Sequence, residues 1–161
     1  MSEVKYGRVE GNGRGREYPV AADQYMHRLG GKMIYFDAGN ITMCASDATE
    51  IAGWASSPKC TTGYNAWKSS STAETDKVFV TYNIDDVYEM PYDQSYEASV
   101  AASLVGLGAR PHLSGSTYTQ IQQAQYTPTD ASSLLTIVDV DTVNNTVQVK
   151  IRPLKKQNIN S

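Results

Sequence analysis

Residues 134–154, LLTIVDVDTVNNTVQVKIRPL, constrain this chain more than any other stretch. Val138 and Val140 alternate with Asp139 and Asp141. After a polar turn at Asn144-Asn145, Val147, Val149 and Ile151 alternate with Gln148, Lys150 and Arg152. A period of two sends alternate side chains to opposite faces of a strand. Asn accepts the positive φ that a tight turn requires, so the spacing predicts an antiparallel hairpin with one dry face and one wet face.

The same alternation marks further strands. Residues 77–84 place Val78, Val80, Tyr82 and Ile84 on one side, with Phe79, Thr81 and Asn83 on the other. Residues 32–37 and 41–45 flank Ala38-Gly39-Asn40, which reads as a three-residue hairpin loop. Short strands are also expected at 18–22, 51–55 and 87–90, and Pro91 demotes the residues after it to an edge or loop. The Gln-rich stretch 120–125 reads as a strand edge or a loop. One helix is expected over 95–104, with Ser95 as its cap and Tyr96, Val100 and Leu104 near helical spacing; Gly106 and Gly108 end it. The predicted class is mainly β, an antiparallel barrel or sandwich with one short helix and an extended N-terminal arm.

At 161 residues the chain can bury a core without disulfides. Residues 1–17 interleave Gly7, Gly11, Gly13 and Gly15 with Lys5, Arg8, Arg14 and Arg16 and show no hydrophobic period. They read as an extended arm, flexible until a partner orders it. Residues 18–161 form the body, with a long Ser/Thr-rich surface loop at about 59–76.

Charge is unevenly spread. Residues 1–32 carry six basic and four acidic side chains, residues 33–141 four and thirteen, and residues 142–161 four and none. An acidic body between basic ends is a poor surface for phosphates, so no direct nucleic-acid partner is expected. The most apolar stretch is short and built of small residues, so neither a secretion signal nor a membrane span is expected. Cys44 and Cys60 stand in no zinc spacing with His27 and His112 and read as free thiols. Asp85, Asp86, Glu89 and Asp93 are the densest carboxylate cluster, but their spacing fits no calcium loop, and they read as a solvated strand end. Gly11-Asn12-Gly13-Arg14-Gly15 neither comes after a strand nor opens a helix, as a phosphate loop must. No Gly-x-Ser-x-Gly elbow occurs. The expectation is a non-enzyme with no metal or cofactor.

The chain carries eleven Tyr but two Phe and two Trp. Tyr suits positions that are apolar on one side and wet on the other, as protein contacts are. The candidate partner-binding residues are Lys5, Tyr6, Arg8, Arg14, Arg16 and Tyr18 of the arm, and Tyr64 and Trp67 of the loop. Arg offers two-pronged contacts to carboxylates.

Residues 87–91 (VYEMP), Val105-Gly106-Leu107, and the hairpin strands from Val138 to Val149 together resemble the C-terminal half of small virion proteins of tailed bacteriophages. Leu107 stands where that pattern commonly has Lys. Residues 16–53, with their hairpin and the IAGWA strand, are similar to the front of such proteins. The resemblance implies a head decoration, or cement, protein in the virion, assembled in the host bacterial cytoplasm. Its implied partners are the major capsid protein and itself, as a small homo-oligomer, a trimer ahead of a dimer. Two other readings fit the same residues. One is a head-closure or tail component. The other is a β-domain stacking a glycan or a single strand on Trp54, Trp67 and Tyr64.

Overall fold

The computed structural model describes residues 6–30, 32–95, 99–128 and 131–158. Thirteen strands lie among them: β1 (Gly7–Glu10), β2 (Gly15–Pro19), β3 (Tyr25–His27), β4 (Met33–Asp37), β5 (Asn40–Met43), β6 (Gly53–Ala55), β7 (Ala66–Lys68), β8 (Lys77–Thr81), β9 (Val87–Pro91), β10 (Gly108–Ser114), β11 (Ile121–Tyr126), β12 (Leu135–Asp141) and β13 (Thr146–Ile151). They pair antiparallel into a six-stranded sheet ordered β1-β9-β13-β12-β10-β11, a five-stranded sheet ordered β2-β8-β6-β4-β5, and a β3-β7 ribbon. Both large sheets are open, so the architecture is a mainly-β sandwich and not a closed barrel.

Alternation decides which side chains meet between the sheets. In β4, Met33 joins a core shared with Tyr88, Met90, Val147, Val149 and Ile151 of the six-stranded sheet. Its neighbour Ile34 points the other way, into a second core with Ile41, Val78 and Val80. Met26 of β3 belongs to that second core and Trp67 of β7 packs against it, so the ribbon covers the outer face of the five-stranded sheet. With both faces covered, that sheet needs apolar side chains on both, which Met33-Ile34 and Trp54-Ala55 supply.

The C-terminal hairpin forms as its pattern predicts, with Val147 and Val149 fully buried. Its loop is longer than the Asn-Asn turn expected, because Asp141 pairs with Thr146. The Asp141 carboxylate accepts from the backbone N–H of Val143 and Asn144 and from the Asn144 side chain, which organises the four intervening residues. Asn145 takes the positive φ (55°). A bulge at Val138 shifts the register, so Val138 and Val140 lie only half-buried. The β4-β5 hairpin is tighter than expected: Asp37 pairs with Asn40, leaving Ala38 and Gly39 as a two-residue turn with φ of 48° and 84°. Positive φ at both central residues is the geometry that continues strand twist.

Three expectations are corrected. The described part of residues 95–104 forms only a 3-10 turn at Ala102–Leu104, since the Ala101 and Val105 backbones flanking it are extended. The long loop at 59–76 contains β7, whose Trp67 is drawn into the second core. Most consequentially, the described part of the arm is not free. β1 is hydrogen-bonded to β9 and β2 to β8, each as the outermost strand of its sheet. The glycines there permit close approach. A Cβ at Gly11 would sit 1.8 Å from the Asp86 carboxylate, and one at Gly15 would sit 2.0 Å from the Val80 carbonyl oxygen. Asp86 is fully buried, and its Oδ1 accepts from the Asn12 N–H at 3.1 Å, pinning the β1–β2 turn. Burial raises its pKa, opposed by the nearby Arg8 charge.

Side-chain amides complete the ladders where strands run out. Gln122 of β11 is 1% exposed. Its Oε1 accepts from Met33 N–H at 2.7 Å, and its Nε2 donates to the carbonyls of Met33 and Cys44, each at 2.9 Å. It ties one sheet to the other as a strand residue would. Gln157 does the same for Phe36, accepting from its N–H at 2.7 Å and donating to its carbonyl at 3.0 Å.

Candidate functional site

The start of the described chain borders a cleft of about 380 Å³. Tyr6, Gly7, Arg8 and Gly13 form one wall, Trp54 of β6 and Phe79 and Thr81 of β8 reach it from the five-stranded sheet, and Lys32, Ser56 and Ser57 complete it. Trp54 is held flat against Tyr88, ring centroids 5.2 Å apart, and is only 4% exposed. It is therefore a wall of the cleft and a core residue, not an open stacking platform. Thr81 Oγ1 bonds the Tyr88 hydroxyl at 3.1 Å, and burial pushes the Tyr88 pKa up to about 12. Lys32 is 8% exposed, and its pKa is lowered by burial, with only the Cys60 thiol acting the other way.

Among the expected binding residues, Tyr6 and Arg8 come together at this cleft. Arg8 donates to the Gly11 carbonyl within its own turn. Arg14 and Arg16 are exposed along the edge formed by β2. Tyr18 turns inward: its ring meets Phe36 edge-on at 4.8 Å and its hydroxyl is buried without a hydrogen-bond partner among the described residues. Lys5 lies outside the described residues. Trp67 is half-buried against the second core.

Tyr64 sits elsewhere, on a different surface. It stacks on Tyr118 with centroids 3.9 Å apart and planes 15° off parallel, and Tyr118 meets Tyr25 edge-on at 5.5 Å. Lys68 lies 5.8 Å over the Tyr25 ring and is paired with Asp23 at 2.7 Å. Tyr64 remains 52% exposed, so this stack presents an aromatic face to solvent. Tyr25 and Tyr118 were not among the residues singled out from the sequence. Nothing local marks them, because they meet only where the 3-10 turn Thr117–Thr119 packs on β3 and β7.

The acidic cluster is not one solvated group. Asp86 is enclosed by the first turn, Glu89 accepts from the Thr146 hydroxyl at 2.6 Å, and Asp93 is 4% exposed. Asp93 accepts from the Ser95 N–H and hydroxyl and from Gln125 Nε2 at 3.0 Å, with His112 Nε2 3.7 Å away. Arg110 in turn donates twice to Gln125 Oε1. Burial would raise the Asp93 pKa, but the bonds from Ser95 and Gln125 and the His112 charge outweigh it and hold it below the ordinary value of 3.8. The folded state thus binds this proton less tightly than the unfolded chain. Its stabilising contribution is full above the ordinary carboxylate value and is lost as pH falls through the lowered one. Urea titrations of Asp93→Asn below about pH 4 are expected to show a shallower acid loss of stability than the parent; an unchanged slope contradicts the network.

Among the described residues no group of three or more His, Cys, Asp or Glu is arranged to hold a metal ion. Cys44 and Cys60 are both unpaired, and burial pushes the Cys44 thiol well up. No helix among the described residues is long and apolar enough to cross a membrane. No protein-family model, curated protein or solved structure matches this chain.

Proposed function

We propose that this chain works by binding, as a virion structural protein that docks on the outer face of a bacteriophage capsid shell and stabilises it. The observation that carries the reading is the Tyr64–Tyr118–Tyr25 cluster, in which Tyr64 is exposed and the other two rings are half-buried. Aromatic rings supply much of the energy of protein contacts at low entropic cost, and here one exposed ring is backed by two half-buried ones on the β3–β7 ribbon and the neighbouring 3-10 turn. The exposed guanidinium groups of Arg14 and Arg16 add cationic contacts along one edge. The pattern of residues 87–153 points to capsid decoration within that class. The partner is then the major capsid protein, bound by a small oligomer, a trimer ahead of a dimer.

The mechanism is linkage. A protein that binds assembled shell and not free subunits stabilises the shell by RT ln(1 + [L]/Kd), about 2.7 kcal/mol per site at a hundredfold excess over Kd. Shells assembled with the protein are expected to melt higher than shells without it and to carry it in co-sedimentation. The pair Tyr64→Ala and Tyr118→Ala is expected to weaken that association at least about tenfold, equal to roughly 1.4 kcal/mol. Arg14→Glu with Arg16→Glu weakens it further at low salt. Equal melting and an empty pellet would remove the reading.

A further inference from the structure

Among the described residues, the cleft beside β1 holds a cation that no carboxylate answers. Lys32 lines it at 8% exposure, and among the described residues its ammonium makes no hydrogen bond and no ion pair. Desolvating an ammonium without a partner is costly, so such a group is normally matched by a carboxylate or left in water. Among the described residues no Asp or Glu lines the cleft. The second cation there, Arg8, is already engaged, with the Gly11 carbonyl on one side and the Asp86 charge nearby. The indole N–H of Trp54 also lines the cleft without a hydrogen-bond partner among the described residues. Ser56 and Ser57 line the same wall, with the Ser57 hydroxyl donating to the Met26 carbonyl at 3.3 Å.

We infer that this cleft is a binding site for a single carboxylate, seated on the Lys32 ammonium with the Trp54 indole N–H as a second donor. The charge count selects the ligand class. One cation is uncompensated, so one negative charge balances it. A phosphate dianion would bring a second charge with only the Asp86-matched Arg8 to meet it. The opening is large enough for an Asp or Glu side chain or for a small organic acid. This site is independent of shell binding, and a failed co-sedimentation would leave it standing.

Trp54 is one of two tryptophans, so a Trp67→Phe background turns intrinsic fluorescence into a reporter of the cleft. The probes are sodium acetate, a capped tripeptide with a central glutamate, and inorganic phosphate, each titrated at constant ionic strength against sodium chloride. Acetate and the peptide are expected to give saturable changes. Lys32→Gln should weaken both at least about tenfold, or 1.4 kcal/mol, whereas Lys77→Gln, at an exposed position of β8 outside the cleft, leaves them unchanged. A peptide midpoint well below that of acetate assigns the carboxylate to a polypeptide side chain; equal midpoints assign it to a free acid. Tighter binding of phosphate than of either carboxylate overturns the inference. So does the absence of any saturable response, or a Lys32→Gln response equal to the parent's. As a readout that needs no variant, the Trp54 indole N–H resonance of the parent protein should move on adding acetate, and a stationary resonance would also overturn it.

Discussion

Gln122→Met is expected to cost about 3–5 kcal/mol of folding stability, a large share of the roughly 5–15 kcal/mol margin of an ordinary domain. Methionine matches glutamine in length and is apolar, so the substitution keeps the volume and removes only the amide. Three bonds go: those from Met33 N–H, to the Met33 carbonyl and to the Cys44 carbonyl. The Met33 carbonyl still accepts from Cys44 N–H at 2.9 Å. The Met33 N–H and the Cys44 carbonyl are left buried with nothing to pair, each costing about 1–3 kcal/mol, and the tie between sheets is lost with them. Urea unfolding checks the figure. A midpoint within experimental error of the parent would mean that the two sheets are held by packing alone.

Deleting residues 1–17 is expected to destabilise the protein by at least about 4 kcal/mol and to make it self-associate. The segment supplies β1, paired with β9 from Gly7 to Glu10, and the first three residues of β2, paired with Thr81, Val80 and Phe79. Removing it leaves β9 as a bare edge and bares β8 from Phe79 to Thr81, each with unpaired N–H and C=O groups. It also uncovers Asp86, which the Gly11–Asn12 turn encloses. Urea unfolding and size-exclusion chromatography read both effects. A truncated chain that melts with the parent and stays at the parent's size would restore the picture of a free, clinging leader. The consequence for function is practical: loss of binding after truncation would report a damaged sandwich, so charge reversal at exposed Arg14 and Arg16 is the cleaner probe.

The two largest effects fall where sequence and structure part company. Alternation in residues 77–81 and 146–151 was legible because each side chain's face depends only on its neighbours along the strand. The same holds for the turns at Ala38-Gly39 and Asn144-Asn145, although their lengths were not legible. Loop length depends on which residues pair across, as Asp37 with Asn40 and Asp141 with Thr146. The glycines of the first segment carry no hydrophobic period, so they read as slack. In the structure Gly11 and Gly15 are small because a carboxylate and a carbonyl, from residues more than sixty positions away, lie where a Cβ would stand.

The site residues divide in the same way. Tyr64 was visible as an aromatic in a polar loop, and Tyr6 and Arg8 as members of a basic segment. Their neighbours Tyr118 and Lys32 were not, since each becomes part of a surface only through the tertiary fold, and Trp54, visible as a candidate stacking ring, proved to be a core residue that walls the cleft. From its residues alone this chain is committed to antiparallel strands, to one dry hairpin face and to an acidic middle between basic ends, because those properties are local or additive. The sandwich in place of a barrel, the stitched first strands, the glutamine between the sheets and the unanswered lysine in its cleft were decided by the tertiary structure, because each depends on which distant backbone groups and charges come to lie within bonding reach.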